Sequence, residues 1–310
     1  MLLGSYTSPA TTATAQIAER ENVPFVVTVA ADDNVIQDGY EWTFRGQPTA
    51  SRHGEEFWEL LPPMMEAAGV EIDTMATCYV DNFYGQAVSA GVEERAADHG
   101  IEVLESEAFE FGATELDTQA LRIAEADPDM VVPTSYAVGT VRLMDALESI
   151  GWEPDYWVGA AQITFMNPEM VRDIGPAANG GMSINYVHDP TDPRAEEVLD
   201  RFIDEFAGDF DQDLSLDGAH YMGYTAAEVA IEAIEEAGST DPEAIQAALN
   251  DMRYEDHVMA MGPIEFDERG ENINADDAVA QVIDADEGDI SIVYPPEFAE
   301  HEPVNPFEPQ

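Results

Sequence analysis

Between Pro24 and Val158 the chain alternates short apolar runs with amphipathic stretches, and this alternation restricts the fold more than any other feature. The runs Phe25 to Val29, Met75 to Val80, Ile101 to Leu104, Met130 to Val132 and Trp157 to Val158 are too short for helices and read as strands. Tyr84 to His99, Leu116 to Ala126 and Val138 to Ile150 carry helical spacing, the last two stopping at Asp127-Pro128 and Gly151. Strands alternating with helices need crossover connections, hence a mostly parallel sheet covered on both faces. The expected fold class is α/β.

After Gly181 the texture changes. Asp192-Pro193 opens a helix expected to reach Phe206, and Leu216 to Gly238 carries Ala, Val and Ile at helical spacing. Asp241 is placed to cap a further helix with Pro242 at its first position. Gly262 to Phe266, Ala278 to Ile283 and Ile290 to Tyr294 return to strand-like runs, and the Pro- and Glu-rich tail 296–310 is expected to be mobile. Pro62-Pro63 conflicts with a straight helix over Glu55 to Ala68, because Pro63 removes a donor and disfavours helical geometry at Pro62; a kink or break is expected there.

Composition narrows the function. The 310 residues include 65 Asp plus Glu against 11 basic residues, all of them Arg, for a formal net charge of -54. Such an excess repels phosphate backbones and anionic headgroups, so nucleic acid and membrane surfaces are poor partners. An apolar fraction of 45% is nevertheless ordinary for a folded chain. One-signed charge without Lys fits a salt-accumulating halophile, in whose cytosol or medium molar salt screens the repulsion. An ordinary acidic protein and a calcium binder are the alternatives. The nearest approach to a calcium loop, Asp209, Asp211 and Asp213, has Leu214 where the turn needs Gly and His220 where the bidentate Glu belongs.

The single Cys, Cys78, excludes internal disulfides and multi-Cys metal sites, and sits in an apolar run as a core residue. Met1-Leu2-Leu3-Gly4 lacks a basic n-region and the apolar length of a secretory signal, and no apolar run is long enough to span a bilayer. No G-x-S-x-G, H-E-x-x-H or G-x-x-x-x-G-K-[ST] pattern occurs, no Gly-rich dinucleotide fingerprint follows a strand, and the six His are scattered. Neither an enzyme nor a bound cofactor or metal is expected.

One segment carries binding chemistry. Gly4-Ser5-Tyr6-Thr7-Ser8-Pro9-Ala10-Thr11-Thr12 runs from an apolar pair into a helix, so hydroxyls, backbone N–H groups and the positive end of a helix dipole converge where an anion would sit. The plainer alternative is an N-cap by Ser8 or Thr7.

Leu3 to Ser8, Ile17 to Val26, Gly39-Tyr40, Phe44-Arg45, Asp81 to Gly85, Ile150-Gly151, Tyr221 to Gly238 and Gly262 to Asp267 follow one another in an order that resembles the branched-chain amino acid binding family of type I periplasmic binding proteins. The resemblance covers nearly the whole chain. It implies two Rossmann-like doubly wound lobes joined by a hinge, lobe 1 from 1–49 and 188–258 and lobe 2 from 50–187 and 259–295. It also implies a small-molecule ligand, an amino acid or small carboxylate, and delivery to an ABC transporter permease from the periplasm or the outer face of the membrane. Residue by residue, it places Thr7 and Ser8 at the ligand carboxylate, Ala30, Ala31 and Asp32 in the second contact loop of lobe 1, and Tyr84 and Tyr136 at the ligand from lobe 2.

The family's acidic partner for a ligand ammonium falls near Ala160-Ala161-Gln162, where no carboxylate stands. Gln162 is a candidate contact or a loop residue. Asp32 reads either as an ammonium partner or as half of a solvated turn with Asp33. Tyr84 reads as a contact or a packing residue beside Gly85, and His220 and Tyr221 as cleft lining or core. Relatives precede lobe 1 with a signal or lipoprotein anchor and further strand-helix units. The resemblance therefore implies a lobe 1 truncated at its N-terminus, with the missing signal peptide and units encoded upstream or lost by gene decay. A ligand-sensing domain of the same fold and a doubly wound enzyme are the other functional classes.

Overall fold

A computed structural model of the chain describes residues 1–206 and 217–304. Among them, in chain order, are β1 (Leu2–Leu3), α1 (Ser8–Glu21), β2 (Phe25–Val27), β3 (Thr43–Arg45), α2 (Ala50–Ala68), β4 (Thr74–Val80), α3 (Phe83–Ala96), β5 (Glu102–Phe109), α4 (Asp117–Ala126) and β6 (Met130–Thr134). There follow α5 (Ala137–Ile150), β7 (Tyr156–Ala160), α6 (Pro168–Ile174), β8 (Met182–Asn185), α7 (Pro193–Phe206), α8 (Gly218–Ala237), α9 (Pro242–Asn250), β9 (Arg253–Tyr254), β10 (Ile264–Glu265), β11 (Ala278–Asp284) and β12 (Asp289–Tyr294). The Asp209 to Asp213 stretch lies outside the described residues.

The chain divides into two compact units. The first comprises Met1–Thr49, Tyr186–Glu197 and Gly218–Asp277; the second comprises Ala50–Asn185 and the described parts of 198–217 and 278–310. In the first unit β1, β2 and β3 form a parallel sheet with β2 in the centre, Phe25 opposite Thr43 and Val27 opposite Arg45. Strand alternation gives β2 two buried faces. Phe25 and Val27 join Ala15 and Ala18 of α1, whereas Val26 joins Phe44, Ala226 and Val229 of α8 and Leu249 of α9.

Residues 259–277 belong to this first unit, which corrects their expected place in lobe 2. Backbone pairing decides it. Ala260 N–H donates to Val187 C=O and Asp189 N–H to Val258 C=O, β10 pairs antiparallel with β9, and Arg45 N–H donates to Gly270 C=O. A Cβ at Gly270 would stand 2.2 Å from Thr43 C=O, and its φ of +86° is one that favours glycine.

The second unit holds a seven-stranded sheet of order β12-β11-β8-β7-β6-β4-β5. From β5 to β8 all pairings are parallel, and β11 and β12 add an antiparallel edge. β5 lies on one side of β4 and the later strands on the other, so the winding reverses between β4 and β6. The strand expected over Ile101 to Leu104 runs on to Phe109, because β4 supplies ladder partners as far as Val80.

The expected break at Pro62-Pro63 does not occur: α2 is helical throughout. Phe57, Trp58, Leu61 and Met64 are buried along it, and the Trp58 indole N–H donates to Val92 C=O. Four such side chains at about 1.5–3 kcal/mol each match or exceed two interior prolines at about 3 kcal/mol each. The tail also differs from expectation as far as it is described. Glu300 N–H donates to Ile292 C=O, and Val304 exchanges hydrogen bonds with the Gln281 side chain.

His257 anchors the connection between β9 and β10. Its Nδ1 accepts Met259 N–H at 3.2 Å, which assigns the neutral tautomer in which Nε2 donates to Gly262 C=O at 3.1 Å. Burial is the main cause that holds its pKa below 6.5, and burial acts the same way on His188 against an opposing Asp189. The unfolded chain therefore takes up these protons first. Stability from the neutral rings is complete above pH 6.5 and declines as pH falls below it. The unfolding midpoint in molar salt is expected to fall between about pH 7.5 and 5.5, and His257→Gln is expected to flatten that slope. An equal slope in the variant would remove His257 from the explanation.

Candidate functional site

In the first unit the helix start and the loop after β2 meet. Thr7 takes the N-cap position of α1 in an extended conformation, yet its side chain makes no capping bond; Pro9, in the first turn, has no N–H to satisfy. Ser8 is 3% exposed, and its Oγ accepts the Asp32 N–H at 3.3 Å. The expected residues Thr7, Ser8, Ala30, Ala31 and Asp32 are thus brought together. Asp32 is not in a solvated turn. It is 2% exposed, and its Oδ1 accepts both the backbone and side-chain N–H of Asn34 at 3.0 Å.

What holds this loop is a residue to which sequence reasoning gave no role. Arg45, fully buried, donates through Nη1 to the carbonyls of Ala30 at 3.0 Å and Asp32 at 2.8 Å. Its Nε and Nη2 form a two-pronged pair with Glu271 at 2.8 and 2.5 Å. Gln47, also buried, donates to Ala30 C=O at 2.8 Å, while its Oε1 has no partner among the described residues. A detectable signal was present: Arg45 closes the strand-like run Trp42-Thr43-Phe44-Arg45 in a chain with 11 basic residues. Its partner Glu271, 226 residues away, had no such signal.

In the second unit Tyr84, Tyr136 and the Ala160–Gln162 loop lie beyond the carboxyl ends of β4, β6 and β7. The first two flank the point where the sheet winding reverses, the place where open parallel sheets bind ligands. Asn82 caps α3 through Gly85 N–H and also reaches the Tyr136 hydroxyl at 3.5 Å. Gly85 is required here, since a Cβ would stand 2.1 Å from Val80 C=O. The rings of Tyr84 and Tyr136 are 5.6 Å apart, and Phe111, 68% exposed, meets Tyr136 edge-on at 5.3 Å. Burial pushes the Tyr136 phenol up, against an opposing hydrogen bond from Asn82.

Tyr84 donates a short hydrogen bond to Ala161 C=O, and Ala161 has a φ of 50°, uncommon for a residue with a Cβ. Gln162 points into the unit instead of standing free. Its amide donates to Ser183 Oγ and accepts Thr164 N–H, both at 2.5 Å, and its side chain lies over Gly159. This geometry supports the loop-residue alternative. Tyr221 is core, stacked on His188 with its hydroxyl donating to Ala195 C=O and its pKa pushed up to about 12 by burial; His220 is exposed. Among the described residues no group of three or more His, Cys, Asp or Glu could hold a metal ion. A half-open cavity of about 300 Å³ in the second unit, lined by Met144, Leu147, Trp152 and Trp157 among others, contains none of the expected ligand residues.

Residues 1–288 match the family described as periplasmic binding protein. The Leu/Ile/Val-binding protein homolog 7 of Brucella abortus (strain 2308) is 22% identical over 279 residues, covering 88% of this chain and 69% of its own length. A leucine binding protein from Thermotoga maritima MSB8 superimposes with a TM-score of 0.75 at 20% identity, covering 94% of this chain and 77% of that one. An ABC transporter solute binding protein from Rhodopseudomonas palustris BisB5, solved in complex with 3,4-dihydroxybenzoic acid, gives 0.75 at 21% identity over 97% and 78%. The fold is the α/β fold of type I periplasmic binding proteins.

The Arg45–Glu271 pair is directly testable. Removing one member strands a buried charge, so Arg45→Met is expected to cost about 3–5 kcal/mol, whereas Arg45→Met with Glu271→Met recovers much of that loss. Chemical unfolding of the single and double variants in molar salt measures both, and additive losses would show that the pair is not coupled.

Proposed function

The chain belongs to the periplasmic binding protein family, and we propose on that footing that it is an extracytoplasmic solute-binding protein of an ABC transporter. Its solute is a branched-chain amino acid or a related small carboxylate. The observation that carries this reading is the hydrogen bond between Ser8 and Asp32, which joins the start of α1 to the loop after β2. The Ser8 Oγ accepts from Asp32, so its own proton remains to be donated, and the positive end of α1 favours an anion at the same place. A carboxylate is held there without a cationic side chain, which suits a chain with no Lys and few Arg.

Tyr84 and Tyr136 are proposed as contacts from the second unit, with the open face of Phe111 beside them. A permease then recognises the liganded form. The solute class is supported by the Leu/Ile/Val-binding homologues and by neighbours named as amino acid transporter substrate-binding proteins. The family is one of solute-binding and receptor proteins, not of enzymes.

Isothermal titration in molar salt against leucine, isoleucine, valine, phenylalanine, glutamine and benzoate tests the proposal. Saturable binding of at least one solute is expected, weakened roughly tenfold or more by Ser8→Ala through loss of a hydrogen bond to a charged group. No binding across the panel would sink it.

A further inference from the structure

We infer that the half-open cavity of the second unit is a further small-molecule site, and that it takes a free alkylated ammonium ion against the rings of Trp152 and Trp157. The cavity lies where α5 ends and β7 begins. Met144 and Leu147 come from the last two turns of α5, Trp152 from the connection that follows, and Trp157 from the second position of β7. Tyr84, Tyr136 and the Ala160–Gln162 loop stand beyond the carboxyl ends of strands in the same sheet, whereas this cavity stands at the amino end of β7. A molecule held here is therefore not held by the proposed solute contacts.

Size and lining set the cavity apart from a packing defect. Protein interiors keep few voids larger than a water molecule, and about 300 Å³ is the lower bound of ligand pockets. Two of the chain's four tryptophans line this one space. The indole N–H of Trp152 is taken by Asp127 Oδ1 at 3.0 Å, so its ring offers the cavity carbon surface and not a donor. The faces of such rings carry negative charge density and attract a cation within about 6 Å of the ring centre, tryptophan most strongly.

The charges around the cavity select the same ligand. Glu148 and Glu153, both exposed, belong to its lining, and among the described residues no Arg does. α5 has no basic residue in its last turn and carries Glu148 there, so a carboxylate stands at the negative end of a helix dipole. Gly151 N–H satisfies the Glu148 carbonyl and Trp152 N–H that of Leu147, but these bonds bring no positive charge. In so acidic a chain the two carboxylates alone would mark nothing; beside two indole rings in one cavity they complete a cation site. An anion is repelled by both carboxylates and by the helix end. The phosphate of a lipid headgroup meets the same repulsion, which makes a free cation the occupant.

Choline, its neutral isostere 3,3-dimethylbutan-1-ol and the anion 3,3-dimethylbutanoate share a nine-proton methyl singlet and differ mainly in charge. Broadening of that singlet on titration with the full chain in molar potassium chloride measures their affinities. Choline is expected to bind saturably and about fivefold to thirtyfold more tightly than the alcohol, the range of a cation–π contact that is partly desolvated. The anion and phosphocholine are expected to bind more weakly than choline. Trp152→Leu keeps the cavity apolar and is expected to lower choline affinity about fivefold; the exposed Glu148→Gln is expected to lower it about twofold. Melting midpoints are measured beside both, and Glu148→Gln carries the test alone if Trp152→Leu melts early. Four results overturn the inference: no choline binding, an alcohol that binds as tightly as choline, phosphocholine that binds more tightly than choline, or choline affinity unchanged in every variant that melts like the wild type. None of them bears on the solute site, which the amino acid titration reads separately.

Discussion

The guanidinium of Arg45 ties together the loop after β2 and the turn at Glu271 in the first unit. It neutralises Glu271, fills carbonyls at Ala30 and Asp32, and its backbone pairs with the turn at Gly270 and Asn272. Burying a charge so completely is costly unless its donors are met, and here four of the five N–H groups are: one on Nε, two on Nη1 and one on Nη2. The result is a loop whose carbonyls turn inward. That leaves the Ser8 hydroxyl proton and Asp32 Oδ2 without a hydrogen-bond partner among the described residues.

The second unit reaches its arrangement by another route. There the sheet itself positions the aromatic residues, because the reversal of winding between β4 and β6 separates the two following connections and sets Tyr84 and Tyr136 on either side. Close backbone approach at Gly85 and the left-handed conformation at Ala161 then fix where the hydroxyl of Tyr84 points. Neither device involves a charge. In a chain of net charge -54, aromatic faces and backbone groups add nothing to the repulsion that the surface carboxylates already impose.

Much of the architecture was legible because local patterns and global packing agree. The strand runs at Phe25, Met75, Met130 and Trp157 and the helix stops at Asp127 and Gly151 all appear in the structure, since short apolar runs and left-handed C-caps carry their own local signal. The misread segments are those in which distant partners override that signal. β5 extends through the charged Glu105 and Glu107 because β4 offers a ladder, and Glu107 is met by Arg122. α2 continues through two prolines because its buried face outweighs the lost hydrogen bonds. Residues 259–277 join the first unit because Val187, Tyr254 and Arg45 present backbone partners to them.

The sequence by itself determined the α/β class and singled out the candidate loops at Ser8, Ala30 to Asp32, Tyr84 and Tyr136, because periodicity and turn chemistry are local properties. Only the tertiary structure decided what those residues do. It turned Gln162 inward onto Ser183, buried Asp32 with its carboxylate on Asn34, and brought Glu271 to Arg45 across 226 residues. The physical reason is that a side chain's share of donors and acceptors depends on which backbone groups surround it, and those neighbours are fixed by long-range pairing that no local pattern encodes.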